Sequence, residues 1–283
     1  MPAVEPGVLI DSDDSNETGR VAVRAIHEVA DLTAAAALLN QIWGMPHGTS
    51  VISTGVLRAW SFTGNYVAAA YLGDEMVGVS TGFLGAGSDG AGRMLHSHVT
   101  GVKSGLRGRR VGSLLKRHQY GWAREQGISE ITWTFDPAIR RNAHFNLLRL
   151  AAAPVAYLKD FYGRLDDELN AGGPSDRLLV SWRVGESGRT GAVDPAIPES
   201  DTGSDEAFRL LENRAGRPVL HASGAAPLRQ VVALPDDIEA LRTSDPELAL
   251  QWRLALRAAL GEQSGYRIAG LTPEDEFVLV RHD

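Results

Sequence analysis

Cysteine is absent from this chain of 283 residues. Its absence excludes a disulfide framework, a thiolate nucleophile and any zinc site that uses sulfur ligands. Long apolar runs are absent as well: the longest are short stretches such as residues 67–72, whereas about 20 apolar residues are needed to span a bilayer. We therefore expect a soluble protein with no membrane partner and no bound metal.

An excess of positive charge is also lacking. The chain has 28 Lys and Arg against 35 Asp and Glu, which gives a net charge of −7. Binding to the phosphates of nucleic acid requires a basic face, so this balance argues against a nucleic-acid partner, and any anion site must be local. The first 20 residues are acidic up to Arg20, the reverse of the charge pattern of a signal peptide. They predict a disordered acidic tail, residues 1–20, on a cytoplasmic protein.

The rest of the sequence has the composition of a packed globular protein, with 43% hydrophobic and 22% charged residues. Periodicity over residues 21–184 predicts, in order, a strand, two helices, three strands, a helix, a strand, a helix and two strands. The strand, helix and strand over residues 95–136 predict a parallel pair, while the hairpins around it predict antiparallel pairing. The fold class predicted is a mixed α/β (α+β) domain whose sheet is mostly antiparallel.

A second region follows this domain. Residues 185–205 are rich in Gly, Ser, Pro and Asp, the composition of a linker or exposed loop. Residues 206–283 form a C-terminal appendage, in which a capping-box pattern at residues 244–247 predicts a helix and residues 266–281 predict a hairpin. The sequence leaves open whether this appendage packs on the domain or on a second subunit of a homodimer.

The most informative segment is residues 102–113. Seven Lys or Arg and no Asp or Glu lie between Lys103 and Arg124. A strand ends here, a turn with Gly108 follows and a helix begins, so backbone N–H groups and the positive end of the helix dipole meet at one point. Such a point binds phosphate, and arginine side chains can add paired hydrogen bonds to its oxygens. The alternative is that the charge run is simply a solvated basic face.

Residues 107–112, Arg-Gly-Arg-Arg-Val-Gly, resemble the signature of the GNAT superfamily of acyl-CoA-dependent acyltransferases, which reads Arg or Gln, two residues, Gly, one residue, Gly or Ala. Arg110 departs from it, because it stands where the first glycine is usual. Together with the His-Ser-His of residues 96–98 and with residues 133–137 and 142–146, the segment resembles a subgroup of larger predicted acetyltransferases that carry a C-terminal extension.

The resemblance implies a GNAT-like fold with a splayed parallel strand pair, and acyl-CoA as co-substrate. The residues that it implies in cofactor binding are Val102, Arg107, Gly108, Arg109, Arg110, Val111, Gly112, Ser113 and Asn142. Val102 would bind the pantetheine arm by its backbone and Asn142 by its side chain. Asn142 as a helix cap is the alternative interpretation.

Amine acylation also needs a group that takes up a proton. His96 and His98 lie two apart on one strand, so we expect both on the same face, as the catalytic base or as a structural pair. The resemblance puts Leu147 where many family members carry a Tyr that acts as the acid. Tyr157 or Tyr162 would then have to substitute, or no acid is used, and both tyrosines could equally be core aromatics. Arg177 is a candidate for binding a carboxylate of the acceptor, or a plain loop arginine.

The function predicted is acyl transfer, of acetyl or a related group, from acyl-CoA to the amine of a small molecule by direct attack. With no cysteine, a direct route is simpler than a covalent intermediate. Two alternatives remain at this point: a non-catalytic acyl-CoA sensor or regulatory module, and a phosphate-binding scaffold unrelated to CoA.

Overall fold

The computed structural model describes residues 20–87, 92–106, 109–163, 173–185, 207–222 and 227–282. The acidic tail, most of the 185–205 linker, Arg107 and Gly108 therefore lie outside the described residues. Packing divides the chain into two compact units, residues 1–132 with 184–188, and residues 133–183 with 189–283. The domain boundaries predicted at 184 and 206 stay a prediction.

The first unit is a sheet with helices. Its strands and helices are β1 (Val21–Ala25), α1 (Val29–Trp43), α2 (Thr54–Phe62), β2 (Tyr66–Leu72), β3 (Glu75–Ala86), β4 (Arg93–Val102), α3 (Val111–Glu125) and the start of β5 (Glu130–Phe135). The strand order is β1-β2-β3-β4-β5. Strands β2, β3 and β4 pair antiparallel and β4 pairs with β5 in parallel, as predicted. Strand β1 pairs antiparallel with β2.

Helices α1 and α2 cover an apolar cluster because their buried positions recur at helical spacing. Leu32, Ala35 and Leu39 of α1 and Leu57 of α2 are fully buried and pack with Val79 of β3. Helix α1 ends at Gly44, whose φ of 57° is left-handed. Ser53 caps the start of α2 by accepting a hydrogen bond from the amide of Val56.

Strand β4 contains a bulge at His98. Thr81 pairs with Val99 and Gly82 pairs with Ser97, so His98 is the extra residue on β4. The close approach of the two strands here requires glycine, since a Cβ at Gly82 would lie 2.8 Å from the carbonyl oxygen of His96. The parallel pairing of β4 with β5 covers three positions and ends at His96 opposite Thr132, while β4 continues to Val102.

The second unit contains the end of β5 and the C-terminal region. Its further elements are α4 (Arg140–Ala143), which continues as a π-helix (His144–Arg149), β6 (Ala153–Leu158), β7 (Arg177–Arg183), β8 (Phe208–Arg214), β9 (Arg217–Leu220), β10 (Arg229–Val232), α5 (Ile238–Ser244), α6 (Pro246–Leu256), a π-helix (Arg257–Gly261), β11 (Tyr266–Leu271) and β12 (Phe277–Arg281). Strand order is β5-β7-β6 in one sheet and β11-β12-β10-β8-β9 in the other. The predicted helix and terminal hairpin are confirmed, but β8, β9 and β10 extend that hairpin into a five-stranded sheet that the sequence did not predict.

Buried ion pairs hold α5 and α6 within this unit. Asp136 accepts hydrogen bonds from Arg253 at 2.6 and 2.8 Å and also pairs with Arg242. Burial alone would raise the pKa of Asp136, but Arg253 and Arg242 hold it well below its usual range. The carboxylate therefore stays ionised and bound to both guanidinium groups.

Candidate active site

The turn after β4 leads into a helix start whose amides lack a side-chain cap. No side chain caps α3, and its backbone ladder begins with the bond from the amide of Leu114 to the carbonyl of Arg110, 3.0 Å long. The amides of Val111, Gly112 and Ser113 precede that bond, so they lie at the positive end of a helix of 15 residues. This is the local arrangement that binds an anionic group.

Arg110 has the backbone conformation of a glycine. Its φ is 60° and its ψ is 10°, which is left-handed. A residue with a Cβ is strained there by about 1 kcal/mol or more. Arg110 thus has a backbone conformation that favours glycine, at the position where the resembled signature usually has a glycine.

Side chains around the turn divide into exposed and buried ones. Arg109 and Arg110 are exposed, and Gly112 and Ser113 are half-buried. Val111 is 1% exposed and packs with Ala70, Val77 and Leu115, so only its backbone can meet a ligand. Val102 packs partly buried against the same cluster. Arg107 and Gly108, also predicted here, lie outside the described residues.

His96 lies beside a hydroxyl group of the neighbouring strand. The Thr132 oxygen is 3.0 Å from Nδ1 of His96, and the same hydroxyl can donate to Sδ of Met94 at 3.6 Å. When the Thr132 proton points to Met94, its oxygen accepts from Nδ1–H, and Nε2 of His96 is then the unprotonated nitrogen. Burial, together with charge repulsion from His98 and Lys116, lowers the pKa of His96 to about 4.

His98 lies in a group of aromatic rings on the same side of the strand. Its ring is 5.7 Å from that of Trp60 and 6.0 Å from that of Phe83, and the Phe83 ring is 5.2 Å from that of His96. The expectation that both histidines share one face is met by this shared contact. Burial lowers the pKa of His98 as well, so both imidazoles are neutral at pH 7.

A buried lysine lies between α3 and β4. Lys116 is 3% exposed and donates to Ser97 Oγ at 2.9 Å and to Gln119 Oε1 at 3.1 Å. Gln119 in turn donates to Ser80, which bonds to Thr100. Burial lowers the pKa of Lys116 to about 7. Sequence analysis missed this network because it placed the buried face of α3 by its apolar residues alone.

Three predicted site residues, Asn142, Tyr157 and Arg177, lie in the second unit. Asn142 is half-buried inside α4, whose N-cap is Ile139, so the interpretation of Asn142 as a helix cap is wrong. Its carbonyl accepts a bond from Asn146, whose Oδ1 accepts from Trp133.

Tyr157 and Arg177 belong to a polar network of that unit. The hydroxyl of Tyr157 donates to Asp176 at 2.7 Å, and burial together with this bond raises the pKa of Tyr157. Arg257 holds the same carboxylate through two bonds. Arg177 is the buried first residue of β7, not a loop residue, and lies 5.5 Å from the ring of Tyr162. These contacts give both residues structural partners inside the protein.

The described residues contain neither a membrane-spanning helix nor a cluster of metal ligands. None of the helices there combines the length and the apolar character needed to cross a membrane. Nor do the described His, Asp and Glu side chains form a group of three or more that could hold a metal ion.

No protein-family model and no curated protein matches the chain. Solved structures similar to it include a GNAT-family acetyltransferase from Streptococcus pneumoniae, with 12% identity and a TM-score of 0.46 over 59% of this chain and 100% of that one. An N-acetyltransferase from Staphylococcus aureus Mu50 has 12% identity and a TM-score of 0.48 over 59% and 99%. Naa50 of Arabidopsis thaliana, bound to the bisubstrate analogue CoA-Ac-MVNAL, has 18% identity and a TM-score of 0.44 over 57% and 97%. The first of these is named for the family that the sequence resembles.

Proposed function

We propose that this protein transfers an acyl group from acyl-CoA to the amine of a small molecule. One arrangement carries the proposal: a basic turn and an uncapped helix start follow the same strand that bears two neutral histidines. Acyl transfer from CoA to an amine needs two such parts: a site that binds the anionic cofactor and a group that accepts a proton.

The cofactor diphosphate would bind at the start of α3. The amides of Gly112 and Ser113 and the guanidinium groups of Arg109 and Arg110 supply donors, and Arg107 and Gly108 complete the proposed set. Val102, six residues after His96, is about 20 Å from it along an extended strand. An extended pantetheine arm that follows β4 would therefore run from the turn towards the histidines, with the half-buried Val102 along its path.

His98 is the better base of the two histidines. Burial alone lowers the pKa of His98, whereas burial, His98 and Lys116 all lower that of His96. A base works best when its pKa is near the working pH, so His98 is the closer match. Since a charge on His98 disfavours a second charge on His96, the pair takes up one proton at a time. When His98 carries the proton, His96 therefore remains neutral.

The reaction is a single displacement at the thioester. The amine nitrogen attacks the thioester carbon, the C–N bond forms and the C–S bond breaks. The proton from the nitrogen passes to His98, directly or through water, and the CoA sulfur leaves as a thiolate that is protonated from solvent. No role is assigned to Tyr157, whose proton is donated to Asp176 and whose pKa is raised, or to Arg177.

A thiol-release assay tests the proposal. Because the protein has no cysteine, every thiol that appears on mixing with acetyl-CoA and an amine is free CoA. We expect amine-dependent release that falls at least about 100-fold in His98→Gln, the usual size of a general-base contribution. His118→Gln is the matched control, since His118 bonds to Tyr66 and lies outside the proposed site.

The sensor alternative gives a different result in the same experiment. The protein would bind CoA, none of the amines tested would cause thiol release, and His98→Gln would bind CoA as the wild type does. That outcome would replace the proposed enzyme with a binding module.

A further inference from the structure

The four rings of Trp60, Phe83, His96 and His98, here called the aromatic cluster, form a partly exposed surface beside the proposed base. Phe83 is central, with its ring 5.3 Å from that of Trp60, 5.2 Å from His96 and 6.0 Å from His98. Trp60 meets His98 edge-on. All four side chains are half-buried, so part of each remains open to solvent. Rings from α2, β3 and β4 thus converge at the bulge of β4.

The charges around the cluster do not repel a cation strongly. Burial leaves the two histidines neutral at pH 7, with the pKa of His96 at about 4. Lys116 of α3 acts on His96, but burial brings its pKa to about 7 and so halves its charge near neutral pH. The guanidinium group of Arg58, on α2 with Trp60, donates to the carbonyl of His27 and lies over the ring of Phe62. On β5, the group that faces His96 is the uncharged Thr132.

Such a surface has a definite chemical preference. Aromatic faces attract an ammonium group because the face of the ring is electron-rich. They also remove apolar substituents from water, which is favourable. A surface made of rings therefore suits an amine with an apolar substituent better than an acceptor with a carboxylate, which needs guanidinium or similar donors.

We propose that the aromatic cluster is the recognition surface for the acceptor, and that the acceptor is a primary amine with an aromatic or branched apolar substituent. The inference rests on the proposed acyl transfer. The ammonium form would dock on the ring faces of Trp60 and Phe83. It loses its first proton to solvent, and the neutral amine is then held beside His98, which takes the proton that leaves the nitrogen when the amine attacks the thioester.

An amine panel tests the acceptor class. Phenethylamine and isoamylamine are compared with ethanolamine and glutamate as acceptors of the acetyl group from acetyl-CoA. We expect kcat/KM for phenethylamine to exceed that for ethanolamine by at least about 10-fold, with glutamate the poorest. In Phe83→Leu this ratio should fall several-fold, mainly through a higher KM for phenethylamine, and Phe83→Tyr should restore it because the ring is kept. Phe62→Leu is the control, since Phe62 is an aromatic residue of the same helix as Trp60 and is 78% exposed.

The outcomes separate this inference from the proposed function. Preference for ethanolamine or glutamate, or a preference that Phe83→Leu leaves intact, would overturn the acceptor class while acyl transfer stands. If CoA raises the melting temperature but no amine is acylated, calorimetry of phenethylamine with the CoA-bound protein decides: binding lost in Phe83→Leu supports the surface, and no binding overturns it. If CoA does not bind and no amine is acylated, the proposed function and this inference fail together. Unchanged circular dichroism of each variant excludes misfolding as the cause.

Discussion

The side-chain oxygen of Thr132 lies 3.0 Å from Nδ1 of His96, at the last paired position of the parallel strands β4 and β5. The Thr132 hydroxyl can direct its own proton to Met94, and we therefore expect its oxygen to accept from His96 and to keep the imidazole proton on Nδ1. On this expectation, the parallel pairing sets which ring nitrogen of His96 is available for chemistry.

Replacing Thr132 with valine should release that tautomer. Thr132→Val removes the acceptor without changing the volume greatly, so Nδ1–H loses its partner and the proton redistributes over both ring nitrogens. Nitrogen-15 NMR of the imidazole should move from the signature of a single tautomer to a mixture. Thr134→Val, two residues along β5 where the hydroxyl bonds to Tyr162, is the control. A His96 spectrum that does not change in Thr132→Val would contradict the assignment.

The histidine pair should make stability depend on pH. The pKa of His96 in the folded state, about 4, is below the 6.5 of an ordinary histidine, so the unfolded chain binds more protons between these values. The contribution of His96 to the free energy of unfolding should therefore be complete above pH 6.5 and decline as the pH falls towards 4. Urea unfolding at pH 7.0, 5.5 and 4.5 should show a smaller decline in His96→Gln. Parallel declines in the two proteins would argue that His96 is not buried as a neutral ring.

Buried Lys116 predicts a second pH dependence, at higher pH. Its folded pKa of about 7 lies below the 10.5 of an ordinary lysine. The unfolded state therefore binds more protons between these values, and stability should rise from pH 7 towards pH 10. Lys116→Met removes this rise, because it replaces the ammonium with an apolar side chain of similar length. Lys103→Met, at an exposed lysine that pairs with Glu75, should keep it. The test is urea unfolding at pH 7, 8.5 and 10, and a slope retained in Lys116→Met would refute this assignment.

Replacing Arg110 with glycine should weaken CoA binding without lowering the stability of the protein. Arg110→Gly relieves the left-handed strain of a non-glycine residue, so the free energy of unfolding should stay equal or rise by up to about 1 kcal/mol. CoA affinity, measured by calorimetry, should fall about 10-fold, equal to about 1.4 kcal/mol, because a charged donor to the diphosphate is lost. Arg117→Ala, at an exposed arginine further along α3, should change neither. If Arg110→Gly binds CoA as tightly as the wild type, the Arg110 side chain has no part in the site.

The ion pairs of Asp136 should contribute strongly to the stability of the second unit. Arg253→Met leaves the buried carboxylate of Asp136 with one of its guanidinium partners missing, and such a loss costs about 3–5 kcal/mol. Arg141→Met breaks the more exposed pair with Glu239 and should cost less than about 1 kcal/mol. Chemical denaturation compares the two variants, and equal losses would show that burial does not set the strength of these pairs.

Much of the fold could be predicted because its signals are local. Periodicity predicts the order of strands and helices over residues 21–184, and turn chemistry predicts the hairpin of β11 and β12 within residues 266–281, as observed. The parallel pair was predicted from the strand, helix and strand order. The second sheet was only partly predicted, because β9 and β10 have four residues each. Strands of that length leave little alternation to detect.

The site was predictable only where one segment carries it. The basic turn and the two histidines stand out in the sequence, whereas Thr132 and Lys116 act on His96 through contacts across 36 and 20 positions of the chain. Arg110 shows the same limit, since no rule on side-chain type predicts a left-handed arginine. For Tyr157 the sequence carried no sign of Asp176, 19 residues away, as its partner.

The most direct test of the account is thermal unfolding of the protein with CoA and with pantetheine. Pantetheine has the thiol arm but lacks the nucleotide and its diphosphate, so it cannot use the amides and guanidinium groups at the start of α3. We predict that CoA raises the melting temperature, with a stabilisation of about 2.7 kcal/mol at 100 times its Kd, and that pantetheine at the same concentration does not. Equal shifts with both compounds, or no shift with either, would contradict the claim that this turn holds the diphosphate of acyl-CoA.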